Sequence, residues 1–217
     1  MRIILFLFLF ISIFSFNLRN SKQDFDSYVM AVQWPNGYCL ANSCGKKADH
    51  VYTNTMTIHG LWPSLKSGKR LNQCTSGVTI DDDGSQLFKD MKQYWPSFAK
   101  TNEAFWEHEY NKHGYCMVEE YNWDGYEEYF QFVLDLFFKE YKDLIIKAFP
   151  DYSNKTVNVT YDEMKKKIKE IIPNATFKMN CKSKYIYEFY FYLEKDFTPS
   201  TNSRFSNSCS SAKLVFK

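Results

Sequence analysis

The stretch Phe105-Trp106-Glu107-His108-Glu109-Tyr110-Asn111-Lys112-His113-Gly114-Tyr115-Cys116 concentrates the chemistry of this chain. Thr101 or Asn102 can cap a helix here, because a short side-chain oxygen accepts from the free N–H groups of a first turn. Gly114 can end it. On such a helix His108 and Lys112 share a face, and so do Glu109 and His113. At about 100° per residue the four side chains fall within roughly 140° of arc. Two imidazoles, a carboxylate and an ammonium come together, a mixture suited to chemistry on phosphates. Alone, the window also fits a solvated helix face with incidental ion pairs.

Zinc is a poor fit to the same residues. A zinc-protease helix needs its second histidine at i+4 from the first, on one face. Here Lys112 occupies that position and His113 follows it. A cation stands where the ligand should be.

Upstream, Thr57-Ile58-His59-Gly60-Leu61-Trp62-Pro63 ends a segment, Thr55 to Trp62, rich in β-branched and aromatic residues. It reads as a strand, as does Tyr28 to Trp34. A lone histidine beside apolar residues is usually a core group, so this window too is ambiguous alone. Downstream, Asp124 and Glu127 form a capping box. Tyr129, Phe130, Val133, Leu136, Phe137, Tyr141 and Leu144 then recur at helical spacing. Thr160 and Glu163 predict a second capped helix that stops before Pro173. Ala175 to Cys181, Tyr185 to Leu193 and Ala212 to Phe216 read as late strands, and Lys195 to Ser211 as a loop. Neither a repeat nor a linker divides the chain. The expectation is one α+β domain, with a central antiparallel sheet flanked by helices and bridged by disulfides.

The N-terminus supplies an address. Arg2 precedes the run Ile3 to Phe16, which contains only Ile, Leu, Phe and Ser. A basic start with a short apolar run predicts a secretory signal peptide over about residues 1–20, cut between Ser15 and Lys22. A membrane anchor would need about 20 apolar residues. Residues 21–217 would then form the exported domain, with no membrane contact after cleavage. In an oxidising compartment the six cysteines, Cys39, Cys44, Cys74, Cys116, Cys181 and Cys209, are expected to form disulfides. The absence of a CxxC pair argues against structural zinc. The sequons at Asn154, Asn158 and Asn174 become glycosylation candidates.

At 217 residues, 45 % hydrophobic and 24 % charged, the chain is long enough for a real core and too apolar to be disordered. A net charge of +2 announces no broad nucleic-acid surface. Most of the 19 % aromatic residues belong to the core.

Taken together, the two histidine windows resemble the active-site segments of the ribonuclease T2 family, secreted acid endoribonucleases that include plant self-incompatibility ribonucleases. Gln33-Trp34-Pro35-Asn36-Gly37-Tyr38-Cys39 resembles the family's early strand and first bridging cysteine. The likeness extends more faintly to the terminal cysteines and covers most of residues 28 to 217. It implies metal-independent cleavage of single-stranded RNA by a monomer, with low base specificity and no cofactor. The ribose 2′-hydroxyl attacks its own phosphate and a 2′,3′-cyclic phosphate forms. By similarity His113 is the general base and His59 the general acid. Lys112 and Glu109 support the pentacovalent phosphate, His108 binds phosphate, and Trp62 lines the base pocket.

The resemblance also implies the pairings Cys39–Cys44, Cys74–Cys116 and Cys181–Cys209. Its destination is extracellular, or a lysosome- or vacuole-like compartment. Tyr115 departs from the pattern, since the family usually has Ser or Thr there. The competing expectation is a catalytically silent secreted binding protein on the same scaffold. His50 matches no motif and reads as a loop residue.

Overall fold

The computed structural model describes residues 24–42, 44, 54–68, 71, 74–152, 154–202 and 209–216. The expected signal peptide, its cleavage region and His50 lie outside the described residues.

Among the described residues six strands form one sheet: β1 (Ser27–Gln33), β2 (Thr57–Ser64), β3 (Thr156–Thr160), β4 (Phe177–Lys182), β5 (Tyr185–Glu194) and β6 (Ser211–Val215). Their order is β2-β1-β5-β6-β3, with β4 also paired to β5. The α+β expectation holds, and the sheet is antiparallel except where β5 meets β6 in parallel at Tyr185 and Lys213. Every residue of β1 is buried, as suits a central strand covered on both faces. Ser183 and Lys184 both take positive φ, at 52° and 72°, the backbone a two-residue turn between β4 and β5 requires.

The helices are α1 (Pro35–Ala41), α2 (Gln86–Tyr94), α3 (Asn102–Glu109), α4 (Tyr115–Tyr121), α5 (Tyr126–Glu140), α6 (Leu144–Ala148) and α7 (Tyr161–Ile171). Thr101 caps α3 by accepting from the Ala104 N–H, and Thr160 caps α7 by accepting from the Glu163 N–H. Three local expectations are corrected. Gly114 does not end α3: a π turn, Tyr110–Gly114, carries the chain into α4. Gly114 has φ −65°, an ordinary helical value. What demands glycine there is space, because a Cβ would sit 2.7 Å from the Tyr129 ring. The second correction concerns α5, which begins at Tyr126, and it is Glu128, not Glu127, that accepts from the Asp124 N–H. Its apolar pattern also spans two helices, since Leu144 opens α6 after a break at Tyr141.

Sequence reading also passed over α1, which Pro35 starts with its fixed φ, and α2. It missed β3 because only Val159 of that strand is buried. A core containing Trp34, Trp95, Trp106, Tyr129, Phe130 and Phe137 fills the space between helices and sheet.

Three disulfides join the pairs implied by the resemblance: Cys39–Cys44, Cys74–Cys116 and Cys181–Cys209. Cys74–Cys116 ties the segment after β2 to the start of α4, on the far side of the π turn from α3. The two histidine windows are thereby clamped covalently as well as by packing.

Candidate active site

His59 enters the site through a defect in the sheet. The β1–β2 register pairs Ala31 with Gly60 and Val32 with Ile58, leaving His59 as the bulged residue between them. A bulge bends its strand and re-aims a side chain. The His59 ring consequently reaches past β1 to β5, where its Nδ1 lies 2.5 Å from Glu188 Oε1. The other ring nitrogen, Nε2, lies 3.6 Å from Glu109 Oε1. Trp95 anchors the backbone at the bulge by donating its indole N–H to the His59 carbonyl at 2.8 Å.

Glu109, at the end of α3, is 1 % exposed and accepts the Trp62 indole N–H at 2.8 Å. Gly60 makes this approach possible, since a Cβ there would collide with both Glu109 Oε2 and Trp62 Nε1. The Trp62 indole is a wedge: its centroid lies 5.0 Å from the His59 ring, 5.3 Å from His113 and 5.1 Å from Tyr190. His113 is half-buried within the π turn, whereas His108 and Lys112 are exposed. π turns of this kind recur where helices carry functional groups. Thus His59, Trp62, Glu109 and His113 converge, with His108 and Lys112 at the solvent edge. Tyr115 turns elsewhere: its ring meets Tyr110 and its hydroxyl bonds to Glu119.

The electrostatics separate the two inner imidazoles. Burial presses His59 down, but the Glu188 hydrogen bond and the charges of Glu109 and Glu188 outweigh it, leaving the pKa above 6.5. Burial pushes His113 down to about 3, and the neighbouring His108, His59 and Lys112 add to the shift. His108 is lowered too, by desolvation and then by Lys112, Lys100 and His59. Desolvation raises Glu109 to about 7, against the opposing pull of His59 and the Trp62 hydrogen bond. In mild acid the site therefore holds a charged His59, a neutral His113 and a protonated Glu109.

Beside His59 opens a cavity of about 440 Å³ walled by Tyr38, Phe98, Phe105, Tyr187 and Tyr190. Gln33 also lines it, with a buried Oε1 that has no hydrogen-bond partner. Lys100, His108 and Lys182 stand on its rim. Sequence reading missed Glu188, Gln33 and these aromatic walls. The available signal for Glu188 was a single carboxylate inside the aromatic strand Tyr185 to Leu193. Among the described residues, no group of three His, Cys, Asp or Glu side chains is placed to hold a metal ion.

Fold and site together define a class: disulfide-bridged α+β proteins in which two imidazoles of opposite charge preference pack against one indole. The ribonuclease T2 family model matches residues 25–209, and the chain belongs to that family. Ribonuclease 1 of Arabidopsis thaliana is 35 % identical over 129 residues, covering 56 % of this chain and 54 % of that protein. The chain thus spans about half the length of such curated relatives. An RNase-related protein from Calystegia sepium shares the fold at a TM-score of 0.73 and 22 % identity, covering 89 % of this chain and 98 % of its own. RNase NT in complex with 5′-AMP matches at a TM-score of 0.66 and 27 % identity, over 89 % of this chain and 98 % of that one.

Proposed function

We propose that this chain is an exported endoribonuclease that cleaves single-stranded RNA by transphosphorylation, with no metal and with low base specificity. The observation that carries the reading is the packing of His59 and His113 against the same Trp62 ring, at 5.0 and 5.3 Å, with opposed tuning of the two imidazoles. Titratable pairs pushed apart by their surroundings identify an acid and a base.

Neutral His113 takes the proton of the ribose 2′-hydroxyl. The 2′-oxygen then bonds to phosphorus, the bond from phosphorus to the 5′-oxygen breaks, and charged His59 gives its proton to that oxygen. The product is a 2′,3′-cyclic phosphate. Lys112 and His108, exposed at the edge, meet the non-bridging phosphate oxygens. Glu109, protonated in acid, can donate a hydrogen bond to the phosphorane instead of repelling it. Trp62 and the aromatic cavity walls offer flat surfaces on which a base stacks whatever its identity.

Export is supported by the apolar leader and the three disulfides, and no helix among the described residues is long and apolar enough to cross a membrane. The destination fits an extracellular or a lysosome- or vacuole-like compartment, with the enzyme acting as a monomer. Asn154, Asn158 and Asn174 are all exposed and can carry glycans. The test is RNA cleavage by the purified protein in EDTA, compared with H59A and H113A. Each substitution is expected to lower turnover at least about 100-fold. Full activity in either variant would refute the acid and base roles of these histidines.

A further inference from the structure

Glu188 lies on β5, two strands away from His59 in the sheet, lines the cavity beside it, and meets the His59 ring at Nδ1 rather than Nε2. Its side chain is 3 % exposed and its Oε1 meets His59 Nδ1 at 2.5 Å. A carboxylate that deep must have a partner, because an unpaired buried charge is costly. Its surroundings are built to hold it in place. In the sheet register Glu188 faces Gln33 on β1 and Asn180 on β4. Asn180 Nδ2 reaches Glu188 Oε2 at 3.4 Å, and the Tyr190 hydroxyl, two residues along β5, hydrogen-bonds to the same carboxylate. The bulge in β2 delivers His59 to this point.

We propose that Glu188 is the positioning residue of His59, holding the Nδ1 proton so that Nε2 alone faces the reacting phosphate. This role rests on the ribonuclease reading for its consequence in turnover, though not for its geometry. The proton balance follows directly. Charged His59 carries protons on both ring nitrogens and gives the Nε2 proton to the leaving 5′-oxygen. The neutral ring is left as the Nδ1–H tautomer, still donating to Glu188. Its bare Nε2 can then accept a proton from water when the cyclic phosphate is hydrolysed. Orientation by a buried carboxylate fixes both tautomer and ring direction. Besides Glu188, the charged and titratable groups facing His59 are Glu109 and His108 on α3 and His113 on the π turn. Of these only Glu109 shares the carboxylate character of Glu188, and it lies on the Nε2 side.

The experiment uses the intact, disulfide-bonded chain with ¹⁵N-labelled histidine, as wild type, E188Q and E188D. In wild type, the neutral form of His59 is expected to carry its proton on Nδ1, and the Nε2–H tautomer would overturn the proposal without any variant. E188Q is isosteric but uncharged, and it should lower the His59 titration midpoint by about half a pH unit or more. It should also lower kcat about 10-fold or more with KM little changed, while E188D recovers part of both losses. An unchanged midpoint and kcat in E188Q would overturn the proposal. So would a rise in KM alone, which would make Glu188 a substrate contact. If wild type does not cleave RNA but E188Q still shifts His59, the pairing stands and the ribonuclease reading falls.

Discussion

Trp62 Nε1 donates to Glu109 Oε2 at 2.8 Å, tying β2 to the end of α3 through a buried carboxylate. The two residues belong to different sequence windows, and this bond is where the windows meet. It fixes the indole against which both histidines pack and gives Glu109 a neutral donor. A Trp62→Phe protein keeps an aromatic ring and loses the donor, leaving a buried acceptor unsatisfied. It is expected to be destabilised by about 1–3 kcal/mol in urea unfolding. Turnover should fall as well, because Glu109 and His113 both pack against the indole.

Gly60 is needed for that contact. A Cβ at position 60 would strike Glu109 and Trp62 together, and neither can withdraw without leaving its place in the site. Gly60→Ala should cost about 1–3 kcal/mol of stability and most of the activity. A variant with wild-type melting temperature and turnover would show that the packing tolerates a methyl group.

The pH profile of turnover should be a bell. His113 must be neutral, which sets the acidic limb near pH 3, where its lowered pKa lies. His59 must be charged, which sets the alkaline limb above pH 6.5. An arriving phosphate anion favours both imidazolium forms and moves both limbs upward in the complex. Rates measured on a short RNA from pH 2 to 9 check this, and a rate that falls on neither the acidic nor the alkaline side would exclude a two-histidine mechanism.

Stability should depend on pH through the same groups. Glu109 has a folded pKa of about 7 against an ordinary 4.5, so the folded state binds the extra proton between those values. Stability from Glu109 is therefore fully present below pH 4.5 and is lost as pH rises through 7. His59, also raised, is lost in the same direction above 6.5. His113 works oppositely, since its folded pKa of about 3 makes stability rise with pH up to 6.5. Glu109→Gln removes the first of these effects and, by taking away the Glu109 charge, also lessens the raising of His59. Relative to wild type its melting temperature should climb from pH 4.5 to about 7 and then level off, and a pH-independent difference would contradict the burial of an ionisable Glu109.

Much of this site was legible because its residues sit in two short windows whose types and spacing constrain them. His59, Trp62, Glu109 and His113 meet in space as the pairing of those windows implies. Other features left little trace in local pattern. The π turn places His113 without any break in helical composition, so Gly114 looked like a terminator when its real constraint is the Tyr129 ring. The bulge at His59 depends on the register between two strands, which alternation within one strand does not encode. Glu188 is distant in sequence and becomes a partner only once β1 lies between β2 and β5. In the sheet, β3 escaped notice because an edge strand with one buried residue looks like a polar loop.

Metal-free transphosphorylation is tested most directly with a DNA oligonucleotide carrying a single ribonucleotide, incubated with the protein in EDTA and analysed by mass spectrometry. The expected result is one cut, on the 3′ side of the ribonucleotide, with a 2′,3′-cyclic phosphate on the upstream fragment. Cleavage elsewhere along the DNA, no cleavage without added metal, or a product that never passes through the cyclic phosphate would contradict it.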